Sequence, residues 1–152
     1  MKFMPINFGE NMVRVYGGPY FDRPADMVGI KLALEIDLPC DISLPIRDYS
    51  IPNERDAKRA LLSCMKAIAA GRDVYVGCWG GKGRTGLFMA ILAKAAGVAD
   101  PVSYVRATYN PHAIETAEQA DFVKKFPVFW LRWSYRALAF TKKTNPKLAP
   151  KL

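Results

Sequence analysis

The sequence has a single histidine, His112, and only three cysteines among 152 residues. So few cysteines exclude a disulfide scaffold as the main source of stability and suit a reducing compartment. The lone histidine has no cluster of metal-ligating residues around it, so no metal site is expected. Acidic residues are also in deficit: 14 Asp and Glu stand against 22 Lys and Arg, a net charge of +8. That balance favours anionic partners, among them phosphorylated proteins, phosphoinositides and nucleic acids. No uninterrupted apolar run is long enough to span a bilayer and no secretory signal is apparent. A soluble, cytoplasmic protein is the expectation. With 51% hydrophobic and 24% charged residues, no internal repeat and no internal linker, the chain reads as one globular domain over residues 1–140. A basic tail, 141–152, has little to bury and is expected to be disordered.

What is present centres on Asp73 to Gly86, DVYVGCWGGKGRTG. The apolar run Val74, Tyr75, Val76 leads to Cys78, then to Trp79, Gly80, Gly81, Lys82 and Gly83, and then to Arg84, Thr85 and Gly86. The next residues, Leu87 to Ala96, are almost entirely apolar. This order predicts a strand, a tight loop and a buried helix. Such a loop wraps a tetrahedral oxyanion: Gly80, Gly81 and Gly83 permit positive φ and close backbone approach, so successive N–H groups converge on phosphate oxygens. Arg84 adds a planar two-pronged donor, and the helix N-terminus adds its positive dipole end. The same field favours thiolates over thiols. Cys78 is therefore the candidate nucleophile, and residues 79–84 are the candidate phosphate-binding set.

The pattern C-x5-R-T-G resembles the active-site loop of the cysteine-dependent protein tyrosine phosphatases, nearest to their compact dual-specificity branch. The resemblance implies that Cys78 is the nucleophile, that Arg84 binds phosphate and that the Thr85 hydroxyl eases departure of the thiolate. One position departs from the family: Gly77 stands where it usually has a histidine that organises the loop.

Before the loop, Met12–Tyr16, Lys31–Ile36 and Ile42–Ile46 alternate as strands, with Leu32, Leu34 and Ile36 assigned to one face. Asp73–Gly77 makes a fourth strand. Residues 1–11 carry little pattern, and Gly17-Gly18-Pro19 reads as a break. The segment Pro45 to Pro52 is a stiff loop between prolines and carries Asp48. By resemblance, Asp48 is the residue that protonates the leaving oxygen; Asp41, earlier in its loop, and Asp56, inside the next helix, are poorer candidates. Asn53 caps a helix running through Ala57, Leu61, Cys64, Met65 and Ile68 to Gly71. Cys64 is assigned to packing there, and Cys40 to a Pro-flanked loop. Asp100-Pro101 starts a further helix.

The segment Ala113–Val123, with Arg106, resembles the phosphatase stretch in which a glutamine positions the hydrolytic water, and Gln119 falls at that place. Thr116-x-x-Gln119 is equally a capping box, so both readings stand for Gln119. His112 is assigned to the surface. Residues 126–140 are aromatic-rich; they predict a final helix packing Phe129 and Trp133, with contact to a membrane surface as the alternative.

Together these residues predict a single α/β domain with a small, mostly parallel sheet of four to five strands flanked by helices. The resemblance implies phosphomonoester hydrolysis through a cysteinyl-phosphate, with phosphorylated proteins (tyrosine or dual specificity) as first substrate class. Phosphoinositides or inositol phosphates are the runner-up because Lys82 lies inside the loop, although Trp79 follows the cysteine where lipid phosphatases of this superfamily usually have a second lysine. RNA 5′ ends are more distant, and nucleic acid is not the expected partner. A phosphate-binding module with weak turnover is the reading from another class, prompted by Gly77.

Overall fold

The computed structural model describes residues 1–129. In chain order it contains β1 (Phe3–Phe8), β2 (Asn11–Pro19), a short 3-10 turn (Tyr20–Asp22), β3 (Val28–Ala33) and β4 (Ile42–Ile46). Then come α1 (Glu54–Ala69), β5 (Val74–Cys78), α2 (Gly83–Ala95), α3 (Pro101–Thr108) and α4 (Ala117–Lys125). The five strands form one sheet in the order β1-β2-β5-β3-β4. Only the β1–β2 pair is antiparallel; β2–β5, β5–β3 and β3–β4 are parallel. This is the single α/β domain with a mostly parallel sheet that the sequence predicted.

Several element bounds differ from expectation, each for a physical reason. Residues 1–11 hold β1, whose inward Met4 and Ile6 are buried. Pro5 lacks an N–H and interrupts the pattern, but an edge strand tolerates it. Gly9, at φ 66°, turns the chain with Glu10 into β2.

β2 then runs straight through Gly17 and Gly18, where a break was expected. A Cβ on Gly17 would lie 2.5 Å from Met89 Cε, and one on Gly18 would lie 2.6 Å from Tyr75 Oη. The glycines serve close packing in this strand, not chain reversal. β3 likewise begins before Gly29 and ends at Ala33, so Leu34 is 58% exposed instead of sharing the inner face with Leu32.

The helices start where their capping residues predict. Asn53 accepts a hydrogen bond from Asp56 N at 3.2 Å, and Asp100 accepts one from Ser103 N at 3.3 Å with Pro101 in the first turn. α2 is buried on all sides except at Lys94. It packs against α1, α3, α4 and the strands β2, β3 and β5. Each Leu, Ile, Phe or Met it buries contributes about 1.5–3 kcal/mol, so this helix anchors the loop that precedes it. Burial pushes the Cys64 thiol up to about 12, which keeps it a packing residue.

Because β2, β3, β4 and β5 are mutually parallel, the segments leaving their C-terminal ends emerge at one edge of the sheet. Ligand sites of open parallel sheets form at that edge. Among the described residues no helix is long and apolar enough to cross a membrane. Phe126 is buried, but Phe129, expected to pack, is 91% exposed. The expected final helix over the rest of 126–140, the alternative of membrane contact there, and the tail all fall outside the described residues.

Candidate active site

Central strand β5 delivers Cys78 to the carboxyl edge of the sheet, 3% exposed. Its Sγ accepts hydrogen bonds from Gly81 N at 3.2 Å and from the Thr85 hydroxyl at 3.1 Å. The two donors converge on the sulfur and fix its position beneath the loop. The chain then turns through Trp79 to Gly83 and enters α2, whose N-cap, Lys82, makes no side-chain capping bond. The first N–H of the helix, Gly83 N, donates instead to Glu115 Oε1 at 2.9 Å, and the positive end of the helix dipole faces the loop.

The loop glycines have distinct jobs. Of the three, only Gly81 takes a positive φ, 71°, and a Cβ there would lie 2.5 Å from the Gly18 carbonyl carbon. A Cβ on Gly83 would lie 2.6 Å from Glu115 Oε1, whereas Gly80 faces open space. Gly86 admits the 110–116 loop, since a Cβ there would lie 2.8 Å from Ala113 Cβ and from Ile114 N. Gly77 is explained the same way. The connection between β2 and β3 crosses over β5, and a Cβ on Gly77 would lie 2.7 Å from Tyr20 Cα. No histidine fits at that position.

Arg84 is 1% exposed yet carries a full charge, so its partners decide what it can do. Nη1 and Nη2 donate to the two carboxylate oxygens of Glu35 at 2.7 and 2.8 Å, and Nη1 also donates to the Ile46 carbonyl at 2.9 Å. Asp48 Oδ1 lies 3.4 Å from Nη2. Nε is buried and has no hydrogen-bond partner among the described residues. Glu35, in the turn that follows β3, is a residue of the site that the sequence reading missed. A buried arginine calls for a carboxylate, but nothing local to Glu35 marks it among 14 acidic residues.

The hydrogen bonds from Arg84 hold the Glu35 carboxyl down at about 2, below its ordinary 4.5, with desolvation opposing. A depressed carboxyl stabilises the fold fully above its unfolded value, and that contribution disappears as pH falls through the folded value. Melting temperature is therefore expected to drop between about pH 4.5 and about pH 2. Glu35→Gln should flatten that part of the curve; an unchanged acid limb would contradict the pairing. The Glu35 side chain is 41% exposed, so solvent screening reduces the effect well below the full value of the shift.

Asp48 stands at the same place as Arg84, on the loop after β4. Its turn is strained: Tyr49 sits at φ 61°, rare for a bulky residue. The turn is tied down by Ser50 N to the Arg47 carbonyl at 3.0 Å and by Gln119 Nε2 to the Ser50 carbonyl at 3.2 Å. The other two aspartates lie elsewhere. Asp41 accepts from Gly29 N at 2.7 Å, and Asp56 is in the first turn of α1.

Gln119 forms the capping box with Thr116. Its Oε1 accepts from Glu115 N at 2.9 Å and Thr116 N at 3.3 Å. In this arrangement it links α4 to the Asp48 loop, and it lies against Gly83. Glu115, a second residue missed from sequence, accepts from Gly83 N at 2.9 Å. Arg106 donates to the Ala113 and Ile114 carbonyls at 3.0 and 2.9 Å, fixing this segment against the loop.

At the mouth, Trp79 and Phe21 meet edge to face, with ring centroids 5.1 Å apart, both more than half exposed. Lys82 is exposed and, with Arg106, His112 and Glu115, lines a groove of about 530 Å³ beside the loop. An electropositive ring, a sulfur on its floor and a carboxyl at its rim can bind a tetrahedral oxyanion and transfer it.

A family model described as "Swiss Army Knife protein, DSP-PTPase phosphatase domain" matches residues 34–129. An uncharacterized protein of Methanocaldococcus jannaschii, MJECL20, is 42% identical over 83 residues, which is 55% of this chain and 56% of the relative. The match therefore spans little more than half of that protein. Among solved structures, Tk-PTP in its active form superposes with a TM-score of 0.58 at 23% identity, covering 66% of this chain and 78% of the other. Kinase associated phosphatase, with its catalytic cysteine substituted by serine, gives 0.60 at 15% identity, covering 82% and 92%. PTPMT1 in complex with PI(5)P gives 0.53 at 15% identity, covering 86% and 81%. At these identities the structural likenesses speak for the fold.

Proposed function

The chain belongs to the DSP-PTPase phosphatase domain family, and from that premise we propose that it hydrolyses phosphomonoesters in two steps through a phosphocysteine. The observation that carries the reading is Arg84 Nε, a guanidinium N–H buried without an acceptor. Leaving such a donor unmet is destabilising by about 1–3 kcal/mol or more, and a phosphate oxygen held at Cys78, which is near enough to Arg84 to act on it electrostatically, would be an acceptor for it. In the first step Cys78 Sγ attacks phosphorus in line, forming the S–P bond as the ester P–O bond breaks. The loop amides and Arg84 hold the equatorial oxygens, and protonated Asp48 gives its proton to the leaving oxygen. In the second step Asp48, now a carboxylate, takes a proton from water. The water oxygen attacks phosphorus, and the S–P bond breaks with Thr85 donating to the departing sulfur. Gln119, which lies against the loop, is the proposed water-positioning residue; to serve, its amide must leave one of its capping partners.

The proposed substrates are phosphorylated proteins, with phosphotyrosine first. The exposed aromatic residues support this: Phe21, Trp79 and Tyr49 are 54%, 57% and 60% exposed. Trp79 directly follows the nucleophile and Tyr49 directly follows the proposed acid, so an aryl leaving group meets rings on its way in. A phosphoinositide substrate is the second reading. It is favoured by the two cations, Lys82 and Arg106, in the groove that Glu115 also lines and by the PI(5)P bound to PTPMT1, a structural relative.

Hydrolysis rates for a phosphotyrosine peptide, a phosphoserine peptide, p-nitrophenyl phosphate and phosphoinositide vesicles test both readings together. The phosphotyrosine peptide is expected to be the best physiological-type substrate; faster phosphoinositide hydrolysis would favour the second. In Asp48→Ala the phosphoserine rate should fall by about 100-fold or more, because its alkoxide needs a proton to leave. Compared as kcat/KM, which reads the first step alone, p-nitrophenyl phosphate should lose far less, although its kcat falls too because hydrolysis of the phosphocysteine has lost its base. Equal loss on both would remove Asp48 as the acid.

A further inference from the structure

Tyr109, at the end of α3, takes no part in the chemistry just described, yet its hydroxyl is the buried contact to the middle of the phosphate loop. Its Oη donates to the Gly81 carbonyl at 2.7 Å, and the residue is 6% exposed. Burial pushes its pKa up, and neighbouring Cys78 acts in the same direction, so the hydroxyl stays protonated and remains a donor. Its seat is prepared by β2: a Cβ on Gly17 would lie 3.1 Å from this oxygen. Gly81 is thereby held from two sides, by Tyr109 at its carbonyl and by the Gly18 backbone against its α-carbon.

We propose that Tyr109 is a positioning residue that sets the oxyanion-binding face of the loop, an inference that rests on the phosphatase reading of the site. In a trans peptide the C=O and N–H point in opposite directions. Fixing the Gly81 carbonyl toward α3 therefore turns the Lys82 N–H of the same peptide away from α3 and into the ring. The preceding peptide is constrained with it, and that peptide carries the Gly81 N–H that bonds Cys78 Sγ at 3.2 Å. One hydroxyl thus orients two of the groups that meet the anion and the nucleophile. Position 77 cannot supply a side chain for this purpose, since Tyr20 occupies the space. The task of holding the loop falls to a residue reaching in from α3.

The experiment is vanadate binding to the full chain by calorimetry, which reads the ring whether or not the protein turns over substrate. Tyr109→Phe should weaken vanadate affinity about tenfold, the order expected for losing alignment of one hydrogen bond to a charged group. Tyr104→Phe is the control. Tyr104 lies on the same helix and its hydroxyl also donates to a backbone carbonyl, that of Pro5, away from the loop. It should lower the melting temperature without changing vanadate affinity. Unchanged affinity in Tyr109→Phe, or an equal loss in both variants, overturns the inference. If Tyr109→Phe fails to fold, 3-fluorotyrosine at position 109 keeps the shape and strengthens the donor; affinity must then shift, and no shift overturns the inference. Vanadate binding without phosphatase activity in the unmutated protein sinks the hydrolase reading and leaves this test intact. Absence of vanadate binding sinks both.

Discussion

Cys78→Ser is expected to reduce turnover by about 10⁴-fold or more while leaving oxyanion binding in place. Loss of a nucleophile is among the largest single effects an active site can show. A serine hydroxyl is a far weaker nucleophile than a cysteine sulfur, so the proposed attack on phosphorus is lost. Binding survives because the ring is not made of the sulfur. Gly81 N and the Thr85 hydroxyl, which donate to Sγ at 3.2 and 3.1 Å, still find an acceptor in the serine oxygen. Phosphate should bind at least as tightly, since on the phosphocysteine reading a negative charge beneath the anion has gone. Residual turnover within about tenfold of the unmutated rate would mean that another residue attacks phosphorus.

Arg84→Lys, which keeps the charge, is expected to lower kcat/KM by about 10³-fold and to destabilise the fold as well. The guanidinium meets both Glu35 oxygens and the Ile46 carbonyl at once, with a further N–H over for the anion. An ammonium is a point donor and cannot span these directions. Whichever partner it keeps, Glu35 or the carbonyl loses one, and the phosphate loses its planar clamp. The stability loss should be about 2 kcal/mol, moderated because Glu35 keeps solvent contact on one side. Chemical denaturation and steady-state kinetics on the same preparation measure the two effects. A lysine variant with near-normal kcat/KM would contradict the clamp.

The parts of this site that were legible in the sequence are those whose signal is contiguous. The run from Val74 to Gly86 announces strand, loop and helix within a few residues, and the three caps at Asn53, Asp100 and Thr116 mark helix starts by side-chain chemistry alone. Asp48 was legible as a loop aspartate between prolines, although its approach to Arg84 is a tertiary fact. Glu35 and Tyr109 were not legible: they reach Arg84 and Gly81 across 49 and 28 residues of chain. No periodicity connects such pairs; only the parallel strands and α3 bring them together. The glycines misled for a related reason. Gly17 and Gly18 look like a break when read locally, but both lie in a strand where another part of the molecule leaves no room for a side chain. Gly77 follows the same rule, and its departure from the family pattern is a packing requirement imposed by Tyr20.

The most direct test of the account is to trap the covalent intermediate. Asp48→Ala mixed with p-nitrophenyl phosphate and quenched within a turnover should carry a phosphoryl group on the peptide containing Cys78, seen by mass spectrometry, because the substrate needs little acid help to form the adduct and its hydrolysis lacks the base. A phosphoryl group on another residue, or steady turnover with no adduct at any quench time, would contradict the central claim that the Cys78 sulfur attacks phosphorus.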